Sequence, residues 1–195
     1  MARNLEFEVV LYPGPILRKV SDPVAHFDEE LRATVGAMFA RMRKSKGVGL
    51  AAPQVGLQQR ILVLNPSEDE KNDLVLVNPS IVARAGERVV FDEGCLSFPG
   101  IYAEITRPDR CTVRAYDLSG ELTEREYAGF ASRIIQHEYD HLEGVLLVDR
   151  MTPAEKLKHK SALEELVTRY KRARPADAAA QAAAQAAERE AARRE

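Results

Sequence analysis

Two histidines four residues apart, His137 and His141, constrain this chain more than any other feature. On an α-helix, residues i and i+4 share a face, so both imidazoles can bind one metal ion. Glu138 follows the first histidine, and a carboxylate beside the ion can handle the protons of a metal-bound water. The spacing therefore predicts a helix with two metal ligands and an acid–base group, as in many metal-dependent hydrolases.

The composition is that of an ordinary globular protein. The chain has 195 residues, of which 45% are hydrophobic and 30% charged, enough for one domain with a substantial core. The formal net charge of -2 gives no reason to expect direct nucleic-acid recognition. No apolar run approaches the length of a membrane span and no basic-then-apolar signal segment begins the chain, so we expect no membrane association.

The hydrophobic pattern predicts strands between helices. Asp28 precedes a helical pattern that stops at Gly47. Strand patterns occupy residues 61–64, 74–77, 87–91, 112–116 and 121–127. The helix with the histidines should run from about residue 131 to 143, and a capping box at Thr152 opens a last helix that ends by Pro175. The predicted fold class is α+β: a largely antiparallel sheet packed around a central metal-binding helix, with a C-terminal helix.

The end of the chain differs in composition from the rest. Residues 175–195 consist almost entirely of Ala, Gln, Glu and Arg, and offer no large side chain to a core. We therefore expect one catalytic domain over residues 1–174, followed by an Ala-rich tail that is flexible or partly helical.

The two histidines need a third ligand, and the sequence offers two alternatives. Glu164 or Glu165 on the last helix would make the chain a metalloprotease, although a charge-rich helix usually presents such residues to solvent. Cys95 follows a glycine at the end of a predicted strand, and a Cys-His-His set leaves one tetrahedral position open for catalysis. A free cysteine is often only a buried core residue. Beside a helix without a downstream histidine ligand, the ligand role is preferred for Cys95.

A third segment, from Gly47 to Gln54, combines small residues with a polar amide. Small residues let the backbone approach another chain or a ligand closely. The segment lacks both the Gly-Lys-Ser/Thr ending and the preceding strand of a phosphate loop, so it does not predict nucleotide binding. Gln54 instead offers an uncharged hydrogen-bond donor at the end of a tight turn.

Three segments in this order resemble peptide deformylase: Gly-Val-Gly-Leu-Ala-Ala-Pro-Gln at 47–54, Glu-Gly-Cys-Leu-Ser at 93–97 and Gln-His-Glu-Tyr-Asp-His at 136–141. The resemblance covers roughly residues 8 to 170 and is closest to a type 1 subgroup of bacteria and plant organelles. It implies an enzyme that removes the N-formyl group from the formylmethionine of new polypeptides and releases formate. Because little room is left for a transit peptide, a bacterial cytoplasm is the expected location.

The resemblance also implies a role for each residue of the motifs. The metal would be bound by Cys95, His137 and His141. It is usually one Fe(II) per chain, with Zn, Ni or Co as possible substitutes. Glu138 would be the general base and then the acid for a metal-bound water that acts as nucleophile. Gln54 and the N–H of Leu96 would hold the oxyanion, and Gly49 would bond the substrate backbone.

Other residues near the motifs are candidates for supporting roles. Candidates for the pocket that holds the methionine side chain are Val48, Phe91, Phe130, Ile134 and Arg133, for each of which core packing or a solvated position is the alternative. Glu93 and Asp140 are expected to support the metal ligands from outside. Arg107 is a candidate ion-pair partner of Glu93, with a surface position as the alternative.

The expected partners are N-formylmethionyl nascent peptides. The last helix is basic, which suggests the ribosome as a further partner, with a solvated helix face as the simpler interpretation. A metal-binding protein of this fold without catalysis is the other alternative, although intact Glu138, Gln54 and Gly49 argue against it.

Overall fold

The fold is α+β, as predicted, and a computed structural model describes residues 5–67 and 69–173. One five-stranded antiparallel sheet has the order β1-β2-β3-β4-β5, in which each strand pairs with its neighbours in sequence. The strands are β1 (Gly49–Ala51), β2 (Ile61–Leu64), β3 (Leu74–Gly94), β4 (Tyr102–Tyr116) and β5 (Leu122–Ala128). The helices are α1 (Glu29–Lys44), α2 (Gly129–Leu142), α3 (Leu147–Arg150), α4 (Pro153–Lys158) and α5 (Lys160–Ala173).

Helix α1 begins after Asp28, as predicted, and ends at Lys44, shortly before the predicted stop at Gly47. The carboxylate of Asp28 accepts a hydrogen bond from the N–H of Leu31, which satisfies one of the free donors of the first turn. The buried face of α1 packs against β1 and β2 through Val35, Met38 and Met42. No helix among the described residues is long and apolar enough to cross a membrane.

Strand β3 is much longer than predicted. Residues 74–77 and 87–91, predicted as separate strands, belong to one strand of 21 residues. The Asn78-Pro79 pair does not end the strand, because Asn78 takes a positive φ of 50° and the pairing with β4 shifts register between Val77 and Ser80. Within the described residues, β2 pairs with β3 only from Leu74 to Val77, so the second half of β3 pairs with β4 alone.

Helix α2 crosses the middle of the molecule and carries the two histidines. It packs against β1, β2 and β4, and its Ile135 and Leu142 lie in one buried cluster with Leu62 and Leu64 of β2. The helix starts at Gly129, about two residues before the predicted start, and Gly129 takes a positive φ of 56° where the chain turns out of β5. This central position is why most of its side chains are buried.

The C-terminal region contains two helices where the sequence predicts one. Thr152 caps α4 as expected, its hydroxyl accepting from the N–H of Glu155, but the helix breaks at His159 before α5 begins. The Glu155 carboxylate accepts from the N–H of Glu104 on β4, which fixes α4 against the sheet instead of completing the capping box. The predicted tail at 175–195 lies outside the described residues.

Candidate metal centre

Cys95, His137 and His141 come together at one point between the sheet and α2. Cys95 directly follows Gly94, the last residue of β3, and the two histidines lie one turn apart on α2. The ligand atoms of the three side chains all lie within 4.8 Å of one another. The Sγ of Cys95 is 3.3 Å from Nε2 of His141. Two helix positions and one strand end therefore meet as a single group of three metal ligands, one thiol and two imidazoles.

This group suits a tetrahedral ion with one open position. Ligand bonds of about 2.0–2.3 Å place the donor atoms roughly 3.5 Å apart, close to the observed spacing. Nδ1 of His137 is 2.9 Å from a Glu93 carboxylate oxygen, so Nε2 is the nitrogen that would bind an ion. A carboxylate behind a ligating imidazole fixes the tautomer and orientation of the ring.

The protonation of the two imidazoles also fits metal binding. Burial lowers the pKa of His141 well below its ordinary value, and the charge of His137 adds to the effect. His141 is therefore neutral, the form that binds a metal. Burial also lowers the pKa of His137, but hydrogen bonds with Cys95 and Glu93 outweigh it and raise that pKa well above its ordinary value. Metal binding at His137 should consequently release a proton.

The alternative third ligands lie on the surface. Side chains of Glu164 and Glu165 are 68% and 61% exposed and pair with Lys160 and Arg169 on the same helix. Among the described residues, the Cys-His-His group is the one set of three or more such ligands close enough to hold an ion. The protease interpretation, with a glutamate from α5 as third ligand, is therefore contradicted.

Glu138 lies between the two histidines in sequence and faces the same cavity. It is 5% exposed, and its Oε2 has no hydrogen-bond partner among the described residues. Burial raises the pKa of Glu138 to about 7, against the opposing charge of His137. A carboxylate with a pKa near neutrality and a free oxygen can both accept and donate a proton.

Gly49 leaves the room that Glu138 occupies. A Cβ at this position would lie 2.5 Å from Oε1 of Glu138 and 2.6 Å from Cγ2 of Ile134. Real Cβ atoms do not approach that closely, so a side chain on β1 would displace the carboxylate. The glycine is needed here for a close approach between β1 and α2.

Gln54 is held with its amide nitrogen toward the metal ligands. It is 1% exposed, and its Oε1 accepts from the N–H of Ala51 at 2.9 Å. Its Nε2 lies 3.5 Å from Sγ of Cys95 and donates to the hydroxyl of Ser97 at 3.3 Å. Leu96, whose N–H is the other predicted oxyanion donor, follows the cysteine and lines the same cavity. The hydrogen bond from Ala51 to Oε1 of Gln54 therefore fixes the direction of Nε2.

A cavity of about 570 Å³ is lined by two of the three ligands, Cys95 and His137. The predicted pocket residues that line it are Val48, Phe91, Phe130 and Ile134. The rings of Phe91 and Phe130 are in contact, with centroids 5.9 Å apart. Arg133, also predicted for the pocket, is not among the residues that line it. Its side chain is 8% exposed and turns toward Glu93 instead.

The side chain of the metal ligand His137 contacts a buried network of ion pairs. The predicted pair between Arg107 and Glu93 is confirmed, with Nε and Nη2 of Arg107 donating to the two carboxylate oxygens at 2.7 and 3.0 Å. Arg107 also donates to Asp140 at 2.7 Å, and Arg150 donates to the same carboxylate. Sequence reasoning missed these last two contacts, because no local pattern relates residues so far apart in the chain.

Comparison with known proteins agrees with this geometry. The family model of polypeptide deformylase matches residues 7–157. Peptide deformylase 1B, chloroplastic/mitochondrial, of Arabidopsis thaliana is 46% identical over 175 residues, 87% of this chain. This chain spans 64% of that plant relative's length, which is less than two thirds.

A bacterial relative and a solved structure match over nearly their whole length. Peptide deformylase of Thermotoga maritima is 41% identical over 166 residues, 85% of this chain and 99% of the relative. The crystal structure of peptide deformylase from Plasmodium falciparum has a TM-score of 0.82 and 43% identity, covering 84% of this chain and 97% of that one. The chain belongs to the polypeptide deformylase family.

Proposed function

We propose that this chain is a metal-dependent hydrolase that removes the N-formyl group from the N-terminal formylmethionine of new polypeptides and releases formate. The observation that carries the proposal is that two of three clustered ligands, Cys95 and His137, line one cavity together with Glu138 and Gln54. The named relatives are peptide deformylases, which supports the same reaction. Residues 1–174 form the proposed catalytic domain.

The chemistry divides between the ion and Glu138. An ion at this site, when bound, polarises the formyl carbonyl and makes a water molecule acidic enough to act near neutral pH. Glu138 accepts a proton from the attacking water as the new C–O bond forms, and donates it to the amine nitrogen as the C–N bond breaks. Burial, which raises the pKa of Glu138, makes this carboxylate a better proton acceptor. The products are formate and a free N-terminal amine.

Negative charge builds on the formyl oxygen during the attack. Nε2 of Gln54 and the N–H of Leu96 are the proposed donors to this oxygen. Because Gln54 is buried and its Oε1 is held by Ala51, its Nε2 needs little rearrangement as the charge develops. The loss of one such donor typically costs about 3–4 kcal/mol in the barrier.

The cavity supplies the proposed recognition of the methionine side chain. Val48, Phe91 and Phe130 are between 42% and 46% exposed at its mouth, while Ile134 is buried deeper. An apolar lining with a few polar groups at one end is typical of a small-molecule or side-chain pocket. Gly49 on β1 is the proposed hydrogen-bonding partner of the substrate backbone.

The proposed metal is one Fe(II) per chain, with Zn, Ni or Co as substitutes. A thiolate from Cys95 lowers the effective charge of the ion and provides a soft ligand beside two imidazoles. A thiolate and ferrous iron are both open to oxidation. We expect the iron-loaded protein to lose activity in air and the nickel-loaded protein to keep it. Unchanged activity after long aerobic incubation with iron would contradict the choice of metal.

The direct test is the release of formate from formyl-Met-Ala-Ser by protein purified anaerobically with Fe(II). The matched control is Glu138→Ala at equal metal content. Formate from the parent and at least about a hundredfold less from the variant is the expected result. If neither protein releases formate at full metal occupancy, the metal-binding protein without catalysis becomes the better account.

The ribosome is a further proposed partner, through helix α5. Its last turns expose Lys171 and Arg172, whereas Lys160 and Arg169 are paired with glutamates of the same helix. Truncation after Met151 would be a poor test of this docking, because it would also remove Leu166, which is buried in the core. Charge reversal at Lys171 and Arg172 is therefore the better test. Co-sedimentation with ribosomes should weaken in that variant, and unchanged co-sedimentation would reject the helix as the docking site.

The proposed location is a bacterial cytoplasm. The relative from Thermotoga maritima is bacterial, while the one from Arabidopsis thaliana is described as chloroplastic/mitochondrial. Fractionation of the source cells, followed by detection of this chain, tests the proposal. Recovery from an organelle would reject it.

A further inference from the structure

Arg133 is a buried cation with four contacts on the two longest strands. Its Nη1 donates to Oε1 of Glu93 at 2.9 Å and to the backbone carbonyl of Ile105 at 3.0 Å. Its Nη2 donates to the carbonyl of Val89 at 2.7 Å. The guanidinium carbon also lies 5.6 Å from the centre of the Phe91 ring. One side chain of α2 thus reaches β3 at Val89, Phe91 and Glu93 and β4 at Ile105.

The strand segment that Arg133 contacts has little other support from the sheet. Val89, Phe91 and Glu93 alternate along β3 and so share one face. Within the part of the chain that the structure describes, this half of β3 pairs with β4 alone. A two-stranded ribbon is only marginally stable by itself and needs packing against another element. Arg133 provides that anchor by bonding both strands to α2.

The same segment carries one residue of the pocket and one partner of the metal ligands. Phe91 lines the cavity and contacts Phe130. Two positions further along β3, Glu93 accepts at Oε2 from Nδ1 of His137 at 2.9 Å. A shift of this segment relative to α2 would therefore move the pocket wall and change the orientation of His137 together.

We propose that Arg133 is a positioning residue that couples the pocket wall at Phe91 to the metal ligand His137 through Glu93. The kinetic part of this inference rests on the proposed function, whereas the metal-binding part does not. Arginine is needed because its planar group serves three acceptors at once, which the single ammonium of a lysine does less well. Arg107 still pairs with Glu93 when Arg133 is replaced, so the network should weaken rather than collapse.

The first arm of the test measures metal release without substrate. Wild type, Arg133→Met and Arg133→Lys are loaded with Ni²⁺, and release to an excess of chelator is followed. Arg88→Met is the matched control, since Arg88 is exposed and neighbours Val89 on β3. Loss of an outer partner of a metal ligand typically weakens binding 10–100-fold. We expect release to be roughly tenfold faster in Arg133→Met, less so in Arg133→Lys, and unchanged in Arg88→Met.

The second arm measures side-chain selection by the same proteins. The ratio of kcat/KM for formyl-Met-Ala-Ser to that for formyl-Ala-Ala-Ser should fall several-fold in Arg133→Met. In a Phe91→Ala background, the same substitution should change the ratio little, because the two residues act through one contact. A merely structural role would lower thermal stability without altering the ratio or its dependence on Phe91.

The outcomes separate this inference from the proposed function. Wild-type rates of nickel release and a wild-type substrate ratio in a folded variant would overturn the inference, and so would a change in only one of the two. If Arg133→Met does not fold, Arg133→Lys decides by the same criteria. If wild type releases no formate, the proposed function fails, while nickel release alone still decides whether Arg133 acts on His137.

Discussion

The base and the mouth of the cavity are held in opposite ways. At the base, each carboxylate oxygen of Glu93 accepts two hydrogen bonds, and the side chains of Glu93 and Arg107 are 4% and 6% exposed. At the mouth, the rings of Phe91 and Phe130 are nearly half exposed and lie at a tilt against one another. The network around Glu93 is polar, buried and hydrogen-bonded, whereas the mouth is apolar and partly exposed to solvent.

The difference separates the two tasks of the site. Buried charges are costly unless they are paired and hydrogen-bonded, so the base tolerates few alternative arrangements. Such a base fixes the orientation of His137 with little freedom. Half-exposed aromatic side chains have no polar requirement and can adjust to different contents of the pocket. We therefore expect substitutions at the base of the cavity to lower activity or stability much more than substitutions at its mouth.

The largest effect should follow from the removal of the thiolate. Cys95→Ala leaves two imidazoles, and we expect metal content after dialysis to fall to a small fraction of one ion per chain. Because the ion contributes several kcal/mol to the barrier, kcat/KM should fall roughly a thousandfold or more. The matched control is Cys111→Ala, since Cys111 is 1% exposed in the hydrophobic core. Full metal content in Cys95→Ala would reject the ligand set.

The next largest effect should come from the proposed oxyanion donor. Gln54→Glu keeps an oxygen for the N–H of Ala51 but replaces the donating nitrogen. We expect kcat to fall about 100–1,000-fold, with metal content unchanged. Gln59→Glu adds the same charge at an exposed position and should keep wild-type rates. A kcat within about threefold of wild type in Gln54→Glu would exclude a donor role for Gln54.

Glu93 should make the free energy of unfolding depend on pH in the acid range. Burial raises the pKa of Glu93, but hydrogen bonds from His137 and Arg107 outweigh it and lower the pKa from 4.5 to about 2. Because the folded-state pKa lies below the unfolded one, this stabilisation is complete above about pH 4.5 and is lost as the pH falls toward 2. The shift corresponds to roughly 3 kcal/mol of unfolding free energy at neutral pH.

The measurement is denaturant unfolding from pH 7 to pH 2 after chelation of the metal. Glu93→Gln should be less stable than wild type by about 3 kcal/mol at pH 7, and the difference should shrink on acidification. Glu126→Gln removes an exposed carboxylate on β5 and should change stability by less than about 0.5 kcal/mol. If the difference in unfolding free energy between Glu93→Gln and wild type stayed constant from pH 7 to pH 2, a lowered pKa of Glu93 in the folded protein would be refuted.

The smallest effect is expected at the mouth. Phe130→Ala should lower the preference for formyl-Met over formyl-Ala substrates roughly tenfold, with metal content unchanged. Val82→Ala is the control, because Val82 is equally exposed on β3 but does not line the cavity. A preference equal to that of wild type would assign side-chain recognition to other residues.

The parts of the site that local periodicity determines could be predicted from sequence. His137 and His141 meet because the helix repeat requires it, and Cys95 directly follows the end of β3 at Gly94, as predicted. The α+β class followed from the same patterns. The direction of Arg133 could not be predicted, since a residue one turn before His137 can reach either the cavity or Glu93. Only the position of β3 beside α2 decides between them.

Two features of the fold were also missed because tertiary contacts, and not local sequence signals, determine them. Asn78-Pro79 is a turn signal, but tertiary pairing of β3 with β4 on its far side turns it into an irregularity within one strand. Similarly, the capping box at Thr152 predicts one helix, whereas Glu155 bonds β4 and the helix breaks at His159. Local signals placed most of the longer elements, and distant partners set their lengths.

The measurement that tests the account most directly is X-ray absorption at the metal edge of the zinc-loaded protein, with Cys95→Ala as control. The account predicts one sulfur scatterer at about 2.3 Å and two imidazole nitrogens at about 2.0–2.1 Å, with the sulfur absent in the control. A wild-type site with only nitrogen and oxygen scatterers would contradict the Cys-His-His centre on which the proposed reaction depends.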